Sequence, residues 1–171
     1  NLWLQNNQSS PWDRQLFGCF HLELLSSDGK EIVPVTKGDF DYIQPVGTDL
    51  QKGLVYFIAS PENYTQRYLY SANLFGKGEV KRLSPENQPG QHRYNMSPTG
   101  KWAVHTYSNS VTPPVIDMVS FPKNQSVRIL EDNAEAKKQY DALGLNPKEF
   151  VKARSGDLLL DVCMIKPVNF E

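Results

Sequence analysis

Three histidines, His21, His92 and His105, are the side chains of this 171-residue chain best suited to acid–base chemistry near neutral pH. A catalytic histidine needs a nucleophile and an orienting carboxylate, both within hydrogen-bond reach. His21 and His105 lie inside predicted strands of different sheets, and His92 begins another strand. Because their spacing brings no such partners together, we predict structural or surface roles for all three and assign no catalytic residue.

The acidic residues and cysteines do not follow the spacing of a metal site or a disulfide scaffold. Asp39, Asp41 and Asp49 lack the loop spacing and the glycine of a calcium-binding loop, so we expect them to cap or solvate a turn. Cys19 and Cys163 are far apart in sequence, and both a single disulfide and two buried thiols are compatible with them. We expect no metal and no cofactor.

Two further patterns could belong to a modified or peptide-binding surface. Asn63-Tyr-Thr and Asn124-Gln-Ser have the form of glycosylation sequons, which carries no meaning in a bacterial source. Tyr64, Arg67 and Tyr68 could present an aromatic and basic rim to a peptide. Packing between sheets explains Tyr68 equally well, and we favour packing.

Charge and hydropathy exclude several classes of partner. Eighteen basic residues against nineteen acidic ones give a net charge of −1, which offers no electrostatic surface for nucleic acid or anionic membrane. No apolar run approaches the ~20 residues needed to span a bilayer. A hydrophobic content of 39% with many aromatic residues is typical of a folded domain.

Strand and turn signals recur along the chain with a period of 47 or 48 residues. Equivalent positions in successive units are Leu22, Leu69 and Ile116 in one strand and Val35, Leu83 and Leu130 in the next. The turns between those strands line up as well, at Asp28-Gly29-Lys30, Gly76-Lys77-Gly78 and Lys123-Asn124. The Ser97-Pro-Thr-Gly-Lys101 turn before an aromatic strand is a further pattern common in propeller blades. Four strands per unit at this period are typical of β-propeller blades, although an ordinary antiparallel meander is the alternative.

The sequence predicts the strands of the first two units. The first contains three, near residues 1–5, 18–25 and 31–36, with a long loop over Asn6–Phe17. The second has strands over 41–47, 54–59, 67–74 and 79–84, where Pro45 predicts a bulge or a sheet edge. The apolar run Leu54–Ala59 predicts a strand covered on both faces.

The pattern changes after Asn133. A helix is predicted over 134–143, capped by Asp132 or Asn133 and stopped by Gly144, with Tyr140 and Leu143 on one narrow apolar stripe. Two strands then flank Arg154-Ser-Gly-Asp157, which predicts a β-hairpin. We therefore expect a mainly β chain: a partial β-propeller of four-stranded antiparallel blades, then a short helix and a hairpin.

Several motifs resemble the dipeptidyl peptidase IV group of the prolyl oligopeptidase family. They are Thr36-Lys-Gly-Asp-Phe, Ser97-Pro-Thr-Gly-Lys, Thr106-Tyr-Ser with the later Thr-Pro-Pro, Leu130-Glu-Asp-Asn, and Gly156-Asp-Leu with Met164-Ile-Lys-Pro-Val-Asn-Phe. In that family an eight-bladed propeller covers an α/β-hydrolase domain. The resemblance implies closing blades over 1–133, a helical linker over 134–146 and the first hydrolase strands over 147–171.

The resemblance also implies an activity. The family uses a Ser-His-Asp triad to release N-terminal dipeptides, usually with Pro or Ala second, and is secreted or periplasmic. The Gly-x-Ser-x-Gly elbow of the nucleophile is absent from this sequence, so we expect it, and the family's oxyanion tyrosine, after Glu171. We expect these residues to be a non-catalytic fragment that walls and gates the peptide cavity and self-associates when isolated. A non-catalytic propeller that binds protein or peptide is the alternative, and the tail after Asn133 argues against it.

Overall fold

The computed structural model describes residues 2–7, 19–26, 28–167 and 170; most of the predicted Asn6–Phe17 loop lies outside them. The described chain forms thirteen strands and one helix. These are β1 Leu2–Asn7, β2 His21–Ser26, β3 Ile32–Pro34, β4 Tyr42–Asp49, β5 Leu54–Ala59, β6 Tyr68–Asn73, β7 Lys81–Arg82, β8 Gln91–Met96, β9 Trp102–Ser108, β10 Val115–Ser120, β11 Gln125–Glu131, α1 Ala134–Ala142, β12 Glu149–Ser155 and β13 Leu158–Met164.

The first eleven strands form three antiparallel sheets, each built from strands consecutive in the chain. We call them blade 1 (β1–β3), blade 2 (β4–β7) and blade 3 (β8–β11). Blades 2 and 3 have four strands, and blade 1 has three among the described residues. Within the described part of the chain, strands β12 and β13 pair only with each other. The prediction of a mainly β chain with four-stranded blades, a helix and a hairpin is confirmed.

Strand β5 lies in the middle of the packing because both of its faces are buried. Val55, Phe57 and Ala59 belong to the hydrophobic cluster shared with blade 1. Tyr56 and Ile58 point to the opposite side and belong to the cluster shared with blade 3. Alternating side chains of a strand face opposite sides of its sheet, so blade 2 is packed between its two neighbours. The prediction from the apolar run 54–59 is confirmed.

The sequence repeat corresponds to a hydrogen-bonding arrangement of the backbone that recurs from blade to blade. In blade 1 the carbonyl of Leu22 accepts from the amides of Val35 (2.8 Å) and Thr36 (3.2 Å). The amide of Leu22 in turn donates to the Thr36 hydroxyl at 2.8 Å. Two residues opposite one is the arrangement of a β-bulge, and here a buried hydroxyl completes it. We call this arrangement the hydroxyl clamp.

Blade 2 repeats the hydroxyl clamp. The Leu69 carbonyl accepts from Leu83 (2.8 Å) and Ser84 (3.3 Å), and the Leu69 amide donates to the Ser84 hydroxyl at 2.6 Å. The bulge ends the regular ladder, so β7 spans only Lys81–Arg82 and is shorter than the predicted strand over 79–84. In blade 3 a register shift occurs at the same place, where Ile116 pairs with Glu131 and no hydroxyl is present.

Strand β4 confirms the interpretation of Pro45. It is the first strand of its sheet and pairs with β5 alone, so one of its edges carries no ladder partner within that sheet. Its register shifts between Pro45 and Gly47. A proline cannot donate to a ladder, which is why it is tolerated at this irregular edge position.

Helix α1 begins and ends as predicted, with Asp132 as the residue that caps it, but it packs differently. The Asp132 carboxylate accepts from the Ala134 amide at 2.9 Å, while Asn133 has a left-handed backbone and no side-chain cap. Gly144 follows the helix at φ +60°, where glycine avoids the steric cost of a side chain. Leu143 is 65% exposed and the helix buries no residue, so the predicted apolar stripe is wrong. No helix within the described residues is long and apolar enough to cross a bilayer.

The clamp gives a first test of the packing. Replacing Thr36 by Val keeps the side-chain shape but leaves the buried Leu22 amide without its acceptor. An unsatisfied buried donor costs about 1–3 kcal/mol, so the free energy of unfolding in urea should fall by that amount. Thr99→Val, at an exposed turn, is the matched control and should change it by less than about 0.5 kcal/mol. Equal losses in the two variants would show that the clamp adds nothing.

Candidate functional site

A chain of polar side chains is buried where blade 3 faces blade 2, and we call it the polar seam. His92 Nδ1 lies 2.9 Å from His105 Nε2, and the two rings are inclined by only 7°, as an in-plane hydrogen bond requires. His105 Nδ1 lies 2.8 Å from an Asp117 carboxylate oxygen. At the other end His92 Nε2 lies 2.9 Å from the Gln88 carbonyl oxygen.

The strand register produces this arrangement. His105 stands directly opposite Tyr94 on β8 and opposite Asp117 on β10. Directly paired residues project from the same face of a sheet, so the three side chains meet on the face turned to blade 2. His92, two residues before Tyr94, projects from that face as well.

Aromatic rings enclose the histidines. The Tyr94 ring lies 4.4 Å from the His105 ring, centroid to centroid, and Tyr68 and Tyr107 flank His92 at 5.8 and 5.0 Å. His92 is 1% exposed. Burial lowers the pKa of His92 to about 4, because the enclosing rings replace the water that would solvate a charged imidazole. Burial also lowers the pKa of His105, against the opposing effect of Asp117.

A second polar contact ties the turn after β10 to this region. The Asn124 side-chain amide donates to the Leu83 carbonyl and to the Tyr94 hydroxyl, each at 3.1 Å. Asn124 is buried and has a left-handed backbone with φ 53°, a conformation that asparagine tolerates better than most residues. The asparagine of the second sequon is therefore part of the packing between blades.

The loop between β5 and β6 forms a rim above the polar seam. Arg67 holds it through one guanidinium nitrogen, which donates to the Tyr64 and Gln66 carbonyls at 3.0 and 2.8 Å. Tyr64 is 60% exposed, whereas Tyr68 is buried beneath the Arg82 guanidinium, 3.8 Å from its ring centre. The interpretation of Tyr68 as a packing residue is confirmed, and Arg67 is engaged by its own loop.

The rim is also where blade 2 joins blade 3. The Arg67 amide donates to the Gly90 carbonyl at 3.0 Å, and the Arg67 carbonyl accepts from the His92 amide at 3.1 Å. A cleft of about 370 Å³ opens beside this junction. Its lining comes from the loops after β5 and β9, the start of β8 and the hairpin: Thr65, Gln66, Pro89, Gly90, Gln91, Ser108, Asn109, Ser110, Lys148 and Phe150.

The remaining predicted residues lie apart from the polar seam. His21 is half-buried, with Nδ1 3.3 Å from the Thr36 hydroxyl. Asp49 caps its turn as expected, because its carboxylate accepts from the Lys52 amide at 3.1 Å. Asp41 instead accepts from the Phe20 amide at 2.7 Å and joins two segments 21 residues apart. Cys19 and Cys163 are free thiols, the latter exposed. Over the described ranges, no three His, Cys, Asp or Glu side chains are grouped as a metal would need.

Sequence reasoning missed the carboxylate beside His105. Asp117 is 12 residues away in sequence, and only the β9–β10 register brings the two together. A signal was present, because two polar residues on facing strands of a predicted hairpin should be tested for pairing at every allowed register. The other requirement of a catalytic histidine is not met, since no serine hydroxyl in the described chain is hydrogen-bonded to any of the three rings.

Successive antiparallel four-stranded sheets, packed face to face and repeating every 47 or 48 residues, define part of a β-propeller. The family model of the dipeptidyl peptidase IV (DPP IV) N-terminal region matches residues 3–114. The chain belongs to this family.

Relatives and solved structures agree with that assignment. The probable dipeptidyl-aminopeptidase B of Emericella nidulans is 29% identical over 156 residues, which are 90% of this chain and 17% of the relative. Dipeptidyl-aminopeptidase B of Aspergillus niger is 28% identical over 84% of the chain and 16% of its own length. The chain therefore spans about a sixth of these relatives.

Two crystal structures share the fold. Porphyromonas gingivalis dipeptidyl peptidase 4 superposes with a TM-score of 0.81 at 26% identity, over 90% of this chain and 21% of that one. A putative dipeptidyl aminopeptidase IV from Bacteroides ovatus gives a TM-score of 0.74 at 20% identity, over 99% of this chain and 25% of that one. The polar seam and the rim thus lie in a propeller of the dipeptidyl peptidase type.

The two sequons provide a test of the site's geometry. Asn63 lies in the rim loop, where its side-chain oxygen accepts from the Thr65 hydroxyl at 2.7 Å and its amide nitrogen bonds to no described residue. Asn124 uses its amide nitrogen twice. In a eukaryotic secretory host, enzymatic glycan removal followed by mass spectrometry should find a glycan on Asn63 and none on Asn124. A glycan on Asn124 in folded protein would contradict the buried contacts.

Proposed function

We propose that these residues are the propeller portion of a serine exopeptidase that releases N-terminal dipeptides, in a periplasmic or secreted setting. The observation that carries the proposal is the family match over residues 3–114, supported by a fold shared with a dipeptidyl peptidase over 90% of the chain. In a protein of the relatives' length, residues 147–171 would begin the catalytic α/β-hydrolase domain, with 134–146 as a helical linker.

The part played by the blades is to wall the peptide cavity and limit access to it. The rim supports this role, because Arg67 fixes the β5–β6 loop at the edge where blades 2 and 3 meet. Lys148 and Phe150 line the cleft beside it together with blade residues, so the start of the hairpin faces the same cleft. An exposed Tyr64 at this edge offers a flat apolar surface to a passing peptide.

The blades have no catalytic role in this proposal. Acyl transfer needs a serine activated by a histidine, and donors aimed at the developing oxyanion. The paired histidines of the polar seam are enclosed by aromatic rings and use their nitrogens on each other, on Asp117 and on Gln88. Neither ring has a nitrogen free to take a proton from a nucleophile.

Activity measurements test the proposal directly. The 171-residue protein should neither cleave a chromogenic Gly-Pro substrate nor be labelled by a fluorophosphonate probe. A version of the same gene extended to the length of the relatives should do both. Losing a triad member alone typically costs several orders of magnitude in rate, so the contrast should be clear. Stoichiometric labelling of a serine within residues 1–171, or an inactive extended protein, would overturn the proposal.

Self-association is expected of the isolated blades. Trp102 and Val104 alternate with buried Ala103, so they project from the face of blade 3 that is turned away from blade 2, and they are 45% and 40% exposed. An exposed apolar sheet face favours association, here with a second copy of the same face. Light scattering should show a dimer at high micromolar concentration.

A matched pair of variants separates this face from other apolar surface. Val104→Glu places a charge in the middle of the face and should shift the protein to a monomer. Leu50→Glu, at a turn of blade 2 where Leu50 is 79% exposed, should leave the dimer unchanged. A strictly monomeric wild-type protein would show that this face is not self-complementary.

A further inference from the structure

Two neutral imidazole rings and an ionised carboxylate cannot make all the hydrogen bonds of the polar seam. The seam contains three hydrogen bonds, so it needs three protons. Two neutral imidazoles carry one N–H each, which supplies only two. The seam must therefore hold a third proton, which two neutral histidines and an ionised Asp117 do not supply.

The location of each proton follows from the partners. A carbonyl oxygen only accepts, so the Gln88 contact requires a proton on His92 Nε2. Neutral His92 then has a lone pair on Nδ1, which accepts from His105 Nε2–H. The third proton lies between His105 Nδ1 and the Asp117 carboxylate. Burial alone lowers the pKa of His105, but the third hydrogen bond needs this proton, and the carboxylate 2.8 Å away cancels its charge.

We propose that the polar seam is a buried site for a single proton, and that a second proton, taken up on acidification, breaks the His92–His105 bond and loosens blade 3 from blade 2. His92 Nδ1 is the one ring nitrogen of the seam that still lacks a proton, so a second proton on the histidines goes there. There it would face the N–H of His105 at 2.9 Å, and two donors without an acceptor between them repel each other.

The groups around His92 do not compensate for a second charge. Asp117 is the carboxylate bonded within the seam, and His105 already uses it. Arg82 of β7, itself paired with Glu62, adds a positive charge that lowers the pKa of His92 further. The other titratable neighbours are the tyrosines Tyr68 of β6, Tyr94 of β8 and Tyr107 of β9, all uncharged in this pH range.

The direction of the pH effect follows from the pKa of His92. In the unfolded chain that pKa is about 6.5, and in the buried site it falls to about 4. A lowered folded-state pKa stabilises the seam above the unfolded value, and this stabilisation is lost as the pH falls toward the folded value. The ratio of closed to open seam should fall by roughly 100-fold between pH 7 and pH 4.

Protonation of His92 affects the rim first. The His92 amide donates to Arg67, whose own amide donates to Gly90, and these two bonds join blade 2 to blade 3. Arg67 also holds the β5–β6 loop. A displaced His92 therefore weakens the joint between blades and the loop above it together.

Nuclear magnetic resonance of the full chain tests the proton arrangement. At pH 7.5 a scalar coupling should connect His105 Nε2 with His92 Nδ1 across their hydrogen bond, with His92 protonated on Nε2 alone. Lowering the pH toward 4 should remove the coupling and lower the protection factors of the His92 and Arg67 amides, that is, their intrinsic exchange rates at the same pH divided by the observed rates. Absence of the coupling at pH 7.5, or its persistence in a doubly protonated pair, would overturn the proposal.

Variants test the consequence for the joint between blades. In His92→Gln the side-chain oxygen can accept from His105 and the amide can donate to Gln88, so both bonds remain without a titrating group. In this variant the protection factor of the Arg67 amide should not fall between pH 7 and pH 4. In His21→Gln, which changes a histidine outside the seam, it should fall as in wild type. Equal pH dependence in His92→Gln and wild type would contradict the proposal, and if His92→Gln fails to fold, the coupling measurement on wild type decides.

Discussion

The constraint on which the structure depends is that β5 must be covered on both faces. One side of this strand carries Val55, Phe57 and Ala59, and the other carries Tyr56 and Ile58. Neither side can therefore face water. Neither neighbouring blade could be removed without exposing a row of large apolar side chains. The antiparallel blades thus stack because both faces of β5 carry large apolar side chains, and the loops that carry the rim are fixed by that stacking.

Polar groups buried by the stacking need partners, and the chain provides them in two ways. Close to the ends of β3 and β7 the hydroxyls of Thr36 and Ser84 satisfy an amide at each bulge. Between blades 2 and 3 the polar seam uses His92, His105 and Asp117 in one continuous line. A hydrogen bond in these apolar surroundings is stronger than in water, and a buried polar group without a partner costs more free energy. The hydroxyl clamps and the polar seam therefore each favour one register between the strands that they join.

The sequence was sufficient for elements whose signals are local. Turn residues and a two-residue period located the strands of blades 2 and 3 and the final hairpin, and the repeat spacing implied the propeller. Contacts that depend on how the strands pair could not be predicted from the sequence. The partnership of His105 with Asp117 depends on the register of β9 and β10, and the exposure of Leu143 depends on α1 having no sheet to cover it. The shortening of β7 came from a bulge whose hydroxyl looks like any other serine in the sequence.

The bulges also decide which sheet edges could join another chain. Strands β3 and β7 span only three and two residues, and the hydroxyl clamp follows directly after each of them. Such short edges offer few free amides and carbonyls as a template. Strand β11 has glutamate at the equivalent position and runs for seven residues, with Val127, Ile129 and Leu130 exposed. Among the outer strands of the three blades, β11 therefore offers the longest edge for pairing with another chain.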